Sequence, residues 1–125
     1  MIYRHYVIWE DSGYTVLGRI LGHDGSAVSQ SDVDSITYTI AERSTPGTPV
    51  ATGTIEVTNS VYTELQTSDS RWTRDTTGFN FAAAMPATTV PDGNKVYQLD
   101  FSFTPSTGEV YHFPVTIPTR NLFGS

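Results

Sequence analysis

The feature that most constrains the fold is a regular alternation of apolar and polar residues near the carboxyl end, between Lys95 and Pro118. Every second residue in two runs is aromatic or aliphatic: Tyr97, Leu99, Phe101 and Phe103, then Tyr111, Phe113, Val115 and Ile117. Because successive side chains of a strand point to opposite faces, each run predicts a strand with one buried row. Pro105 and Gly108 are turn-forming residues between the runs. The segment therefore predicts a β-hairpin that covers an apolar core.

Further strand predictions follow one another along the chain, with turn residues between them. They cover Tyr3–Trp9, Tyr14–Gly22, Ser35–Glu42, Val50–Thr58, Val61–Leu65 and Gly78–Met85. Together with the hairpin they make roughly seven or eight strands, and the only helical prediction is one turn at Ser31–Asp34. A chain of 125 residues is expected to form one domain, residues 1–125.

These patterns predict an all-β fold, a single immunoglobulin-like Greek-key β-sandwich, and a closed barrel is the alternative. Pro114 favours the sandwich, because proline cannot donate to a strand ladder and is found at sheet edges or bulges. A sandwich has such edges, whereas a closed barrel has none.

Charge and composition narrow the classes of function. Seven Lys and Arg against thirteen Asp and Glu give a net charge of −6, and the cations are scattered. This argues against partners that present a phosphate backbone or an anionic membrane surface. No apolar run approaches the ~20 residues of a membrane span, and the first residues lack the pattern of a signal peptide. Without cysteine, the chain has no disulfides and is expected to fold in a reducing cytoplasm.

No residue pattern typical of catalysis or metal binding is present in the sequence. His5, His23 and His112 lie in unrelated strand or turn contexts, and there is no Gly-x-Ser-x-Gly nucleophile motif. Asp32 and Asp34 are the best pair of oxygen ligands, but a calcium loop needs more, and a helix cap with a solvated turn explains both. The chain is therefore predicted to be no enzyme and to carry no cofactor or metal.

One polar loop contains a large aromatic residue, Trp72, with Tyr62 and Arg71 nearby. Trp72 and Tyr62 could form a platform on which a sugar ring stacks, which would make the chain a carbohydrate-binding or adhesion module. Alternatively, Trp72 folds back as a lid over the open edge of the core. The sequence leaves both interpretations open.

Apolar residues occupy both faces of the first two predicted strands, and two more lie in the C-terminal tail. A half-buried strand should be polar on one face, so either these strands pass through the centre or their outer row meets another subunit. The candidate interface residues are Tyr3, Tyr6, Ile8, Trp9, Leu122 and Phe123.

Two segments, WTRDTTGFNF at Trp72–Phe81 and YQLDFSFTPSTGEV at Tyr97–Val110, resemble short immunoglobulin-like structural proteins of tailed bacteriophages. The resemblance covers roughly the last 60 residues, about half of the chain. It implies a non-enzymatic virion component, such as a capsid decoration (cement), neck or tail protein, assembled in the host cytoplasm. It also implies a homo-oligomer whose partners are the major capsid protein or neck and tail proteins, without nucleic acid or membrane.

Overall fold

The computed structural model describes residues 7–22, 25–106 and 108–123, and the backbone of residues 2–3. Within these ranges nine strands form two sheets, which confirms the all-β prediction. The strands are β1 (Ile2–Tyr3), β2 (Ile8–Trp9), β3 (Tyr14–Arg19), β4 (Val33–Glu42), β5 (Pro49–Ile55), β6 (Val61–Gln66), β7 (Phe79–Met85), β8 (Val96–Pro105) and β9 (Tyr111–Arg120). One helical turn, α1 (Val57–Ser60), follows β5, and 3₁₀ turns span Gln30–Asp32 and Ala87–Thr89.

The first sheet has the strand order β1-β3-β7-β6 and the second has the order β2-β9-β8-β4-β5. All pairs are antiparallel except β2 with β9, which run parallel. The chain therefore begins at the edge of one sheet and continues at the edge of the other. Each sheet has apolar side chains on its inner face, and the main core lies between the two sheets.

The predicted hairpin is confirmed, since β8 and β9 pair from Val96 with Pro118 to Phe103 with Tyr111. Gly108 has a φ of +100°, the left-handed conformation that glycine adopts without strain. Pro114 pairs with Asp100 of β8, whereas β2 pairs with β9 only at Thr119 and Arg120. Among the described residues no strand therefore lies beside Pro114 on its other side, in agreement with the edge prediction.

Three strand predictions need correction, and the first is Tyr14–Gly22, which ends earlier, at Arg19. The segment Tyr3–Trp9 is not one strand, because β1 and β2 belong to different sheets, and residues 4–6 lie outside the described residues. The strand predicted at Val50–Thr58 ends at Ile55, because α1 begins at Val57. The helical turn predicted at Ser31–Asp34 is a 3₁₀ turn at Gln30–Asp32, and Asp34 already belongs to β4.

The main core is built on the predicted aromatic rows. Phe81 of β7 meets the rings of Phe101, Phe103 and Phe113 edge-on, with ring centroids 5.0, 5.2 and 6.0 Å apart. At one end of this core, the hydroxyl of Tyr97 accepts a hydrogen bond from the Asp92 backbone N–H at 3.1 Å and donates to the Asp92 carbonyl at 3.4 Å. The chain before β8 is thereby fixed to the start of that strand.

Candidate functional site

The C-terminal tail is fixed to the body of the protein by one carboxylate. Glu10, directly after β2, accepts hydrogen bonds from the backbone N–H of Leu122 at 3.0 Å and of Gly93 at 2.9 Å, one on each oxygen. The backbone N–H of Glu10 also donates to the carbonyl of Arg120 at 2.9 Å. A side chain that bridges residues 112 positions apart orders the tail beside β2. Nothing in the sequence pattern pointed to Glu10, which reads as an ordinary turn residue.

Large apolar side chains are exposed at this junction. Trp9 is 50% exposed, Leu122 53% and Phe123 97%. Trp9 pairs with Arg120, two residues before Leu122, so the three residues lie near one another where β2 and β9 end. We call Trp9, Leu122 and Phe123 the tail surface.

Of the three other candidate interface residues, the structure describes the side chain of Ile8 alone. Ile8 is only 7% exposed and belongs to the main core, because successive residues of β2 point to opposite faces. It is therefore removed from the candidate interface. Tyr6 lies outside the described residues, and only the backbone of Tyr3 is described.

The proposed sugar platform on Trp72 also needs correction. Trp72 is 7% exposed and packs with Leu17 and Phe79 in a second apolar cluster on the outer face of the four-stranded sheet. Its ring centroid lies 5.7 Å from that of Phe79, and the half-buried Tyr62 meets Phe79 edge-on at 5.9 Å. The Trp72 ring thus acts as a lid, as the second of the two interpretations predicts. It covers the outer apolar cluster, however, and not the main core.

The lid is held in place by Asp75. Its carboxylate accepts hydrogen bonds from Trp72 Nε1 at 2.9 Å, from the Gly78 backbone N–H at 3.2 Å and from Arg19 Nη1 of β3 at 2.9 Å. The Trp72 hydrogen bond, with those from Arg19 and Gly78, lowers the pKa of Asp75 from 3.8 to about 2. The loop is therefore fixed to β3 by a carboxylate that stays ionised far into the acid range.

Ser102, His112 and Asp100 come together on the outer face of the β8–β9 hairpin, a cluster that the sequence did not predict. His112 Nδ1 lies 3.1 Å from Ser102 Oγ and 2.8 Å from Asp100 Oδ2. In a serine hydrolase the acid and the nucleophile bind different ring nitrogens, so that the imidazole can move a proton between them. Here both groups meet the same nitrogen. The cluster is therefore a cross-strand polar contact, set by the pairing of Ser102 with His112.

The two aspartates considered as metal ligands have structural roles. Asp32 accepts hydrogen bonds from the backbone N–H and the hydroxyl of Ser29, at 3.1 and 2.9 Å, and so caps the 3₁₀ turn. Asp34 accepts one from the hydroxyl of Ser106 at 3.0 Å. Across the described ranges, no three His, Asp or Glu side chains are grouped closely enough to hold a metal ion. His5, His23 and Asp24 lie outside those ranges.

A long apolar helix of the kind that crosses a membrane is absent from the described part of the chain. Comparisons with protein-family models, with curated proteins and with solved structures give no match to this chain.

Proposed function

We propose that this protein is a non-enzymatic structural protein that acts by binding other proteins, through the tail surface. The observation that carries the proposal is the exposure of Trp9 in β2 and of Leu122 and Phe123 in the tail that Glu10 fixes beside it. Large exposed apolar groups that lie together on a soluble protein mark interaction sites. An ordered segment also loses less conformational entropy on binding than a free tail would.

We further propose that the scaffold is an immunoglobulin-like Greek-key sandwich. The strand orders support this, because β1-β3-β7-β6 would correspond to strands A, B, E and D, and β9-β8-β4-β5 to G, F, C and C′. The hydrogen bonds from Tyr97 to the backbone of Asp92 support it too, since they resemble the tyrosine corner at the start of strand F. The disulfide of antibody domains has no counterpart here, because the chain has no cysteine.

The class of structural protein that we propose is a virion component, such as a capsid decoration, neck or tail protein, assembled in the host cytoplasm. The support is the resemblance of Trp72–Phe81 and Tyr97–Val110 to phage proteins of this kind. Heads and tails present repeated, symmetric sites, so a homo-oligomer is the expected form. We expect the flanking genes to encode capsid, portal or tail proteins, and flanking genes of metabolic enzymes would contradict this assignment.

The experiment for the tail surface compares two sets of variants by size-exclusion chromatography with light scattering. We expect the unmodified chain to self-associate and the double variant Leu122→Ser, Phe123→Ser to shift to the monomer mass. Val110→Ser is the matched control, because Val110 is an exposed apolar residue beyond the other end of β9. It should leave the mass unchanged. If the unmodified chain is a monomer at all concentrations, it does not form a homo-oligomer. If Val110→Ser lowers the mass as much as the double variant does, the tail surface is not the site of association.

A further inference from the structure

We propose that a groove on the outer face of the four-stranded sheet binds a neutral, hydroxyl-rich ligand, a short carbohydrate chain. The groove lies beside α1 and has a volume of about 490 Å³. Ligand sites of proteins commonly enclose roughly 300–1,000 Å³, so a mono- or disaccharide unit fits. We call it the α1 groove.

The groove exists because β6 covers only part of β7. The two strands pair at Val61 with Phe81 and at Gln66 with Phe79, and the register breaks between these points. The second half of β7 therefore has no strand beside it on that side among the described residues. Ala82 and Ala84 of this half line the groove, and their small side chains leave its floor open.

The polar groups of the groove are held in position before any ligand arrives. Arg71 donates to Asp69 through Nε at 3.1 Å and through Nη2 at 2.8 Å. Two further lining residues are paired with each other, since Asn59 Nδ2 donates to Glu56 Oε2 at 2.7 Å. The hydrogen bond from the Arg71 side chain lowers the pKa of Asp69 to about 2, so Asp69 stays ionised and paired with Arg71 far below neutral pH. Fixed donors and acceptors reduce the entropy that binding costs.

An aromatic wall completes the site. Tyr62 lines the groove, and its ring packs edge-on against the ring of Phe79, with the centroids 5.9 Å apart. A fixed aromatic ring beside hydrogen-bonding groups suits a sugar, which has apolar C–H faces and a rim of hydroxyls. The candidate sugar site thus moves from Trp72, which is buried, to Tyr62 and its neighbours.

The charges of the groove favour a neutral ligand. The positive charge of Arg71 is already balanced by Asp69, whereas among the described residues the Glu56 carboxylate is bound to the neutral amide of Asn59 and forms no ion pair. A phosphate or carboxylate would meet the uncompensated charge of Glu56, and like charges at close range repel. Hydroxyl groups can donate to Glu56 and accept from Arg71 at the same time.

The test is an amide NMR titration of the whole chain with named probes: cellotetraose, maltotetraose and chitotetraose as neutral sugars, and sialyllactose and inorganic phosphate as anions. We expect at least one neutral sugar to shift the amide signals of Ala82, Ala84 and Asn59. Arg71→Ala and Glu56→Gln should each weaken that binding about tenfold, since each substitution removes one charged group that would hydrogen-bond the sugar.

Two matched controls remove the same charges outside the groove. Arg74→Ala lies in the same loop as Arg71, and Glu64→Gln lies on the exposed side of β6. Both should bind the sugar as the unmodified chain does. The proposal is overturned if no neutral sugar shifts the groove signals at millimolar concentration, if an anion binds more tightly, or if the controls weaken binding equally. Since the α1 groove shares no residue with the tail surface, either site can fail without the other.

Discussion

The four-stranded sheet carries an aromatic cluster on each face, and the two are held together differently. On the inner face, Phe81 contacts three rings of the opposite sheet, and every partner stands on a strand. On the outer face, Phe79 contacts Tyr62 of β6 and Trp72 of a loop. The inner cluster joins the two sheets, whereas the outer one needs a loop that Asp75 ties down. The inner cluster should thus unfold only with the whole protein, and the outer one can open alone.

The largest effect is expected from Phe81→Ala in the inner cluster. Phe81 is fully buried, and its removal leaves a cavity that strands of both sheets would have to close. We expect the free energy of unfolding in urea to fall by about 4 kcal/mol. Phe81→Leu keeps most of the volume and should cost clearly less. If Phe81→Ala lowers the free energy of unfolding no more than the substitution of an exposed residue does, the inner cluster does not hold the two sheets together.

A smaller and local effect is expected from Trp72→Ala in the outer cluster. The cost should be about 2–3 kcal/mol, because the freed loop relaxes while the strands remain paired. Amide exchange should quicken in residues 69–78 and stay slow at Phe101 and Phe113. Val110→Ala is the control, since Val110 is half exposed, lies outside the tail surface and should cost less than about 1 kcal/mol. Equal quickening in both regions would mean that the two clusters unfold as one unit.

The same contrast separates what the sequence predicts from what it does not. The inner rows from Tyr97 to Phe103 follow strand alternation, and all four predicted residues are buried. The outer row of β3 was visible as apolar residues on both faces, yet periodicity cannot say whether a partner or the chain itself covers Leu17. The structure shows that the chain's own Trp72 does so.

Contacts between distant parts of the chain account for the remaining differences. Arg19 and Asp75 are 56 residues apart, and Glu10 and Leu122 are 112 apart. Such pairs leave no periodic signal in a single sequence. Neither the contact of Asp75 with Arg19 nor that of Glu10 with Leu122 could therefore be predicted. The α1 groove could not be predicted from the sequence either, because it depends on where β6 stops pairing with β7.

The smallest expected effect is a pH dependence confined to the outer cluster. The pKa of Asp75 is lowered from 3.8 to about 2 when the loop is docked, so the open loop binds the proton more readily. The stabilisation by Asp75 is then complete above pH 3.8 and is lost as the pH falls towards about 2. In a Trp9→Phe background, where Trp72 alone reports, we expect its fluorescence to shift to the red over this range.

Two variants separate Asp75 from the other low-pKa carboxylate of the loop. Asp75→Asn should abolish the acid transition and leave Trp72 more exposed at neutral pH, because an amide cannot attract Arg19 and offers one acceptor oxygen instead of two. Asp69→Asn should keep the transition, since Asp69 binds Arg71 and not the Trp72 ring. If the inner-strand amides lose their protection over the same pH range as the fluorescence shift, acid unfolds the whole protein. A red shift of the Trp72 fluorescence with the inner-strand amides still protected would show that the lid opens as a separate unit held by the Asp75 charge.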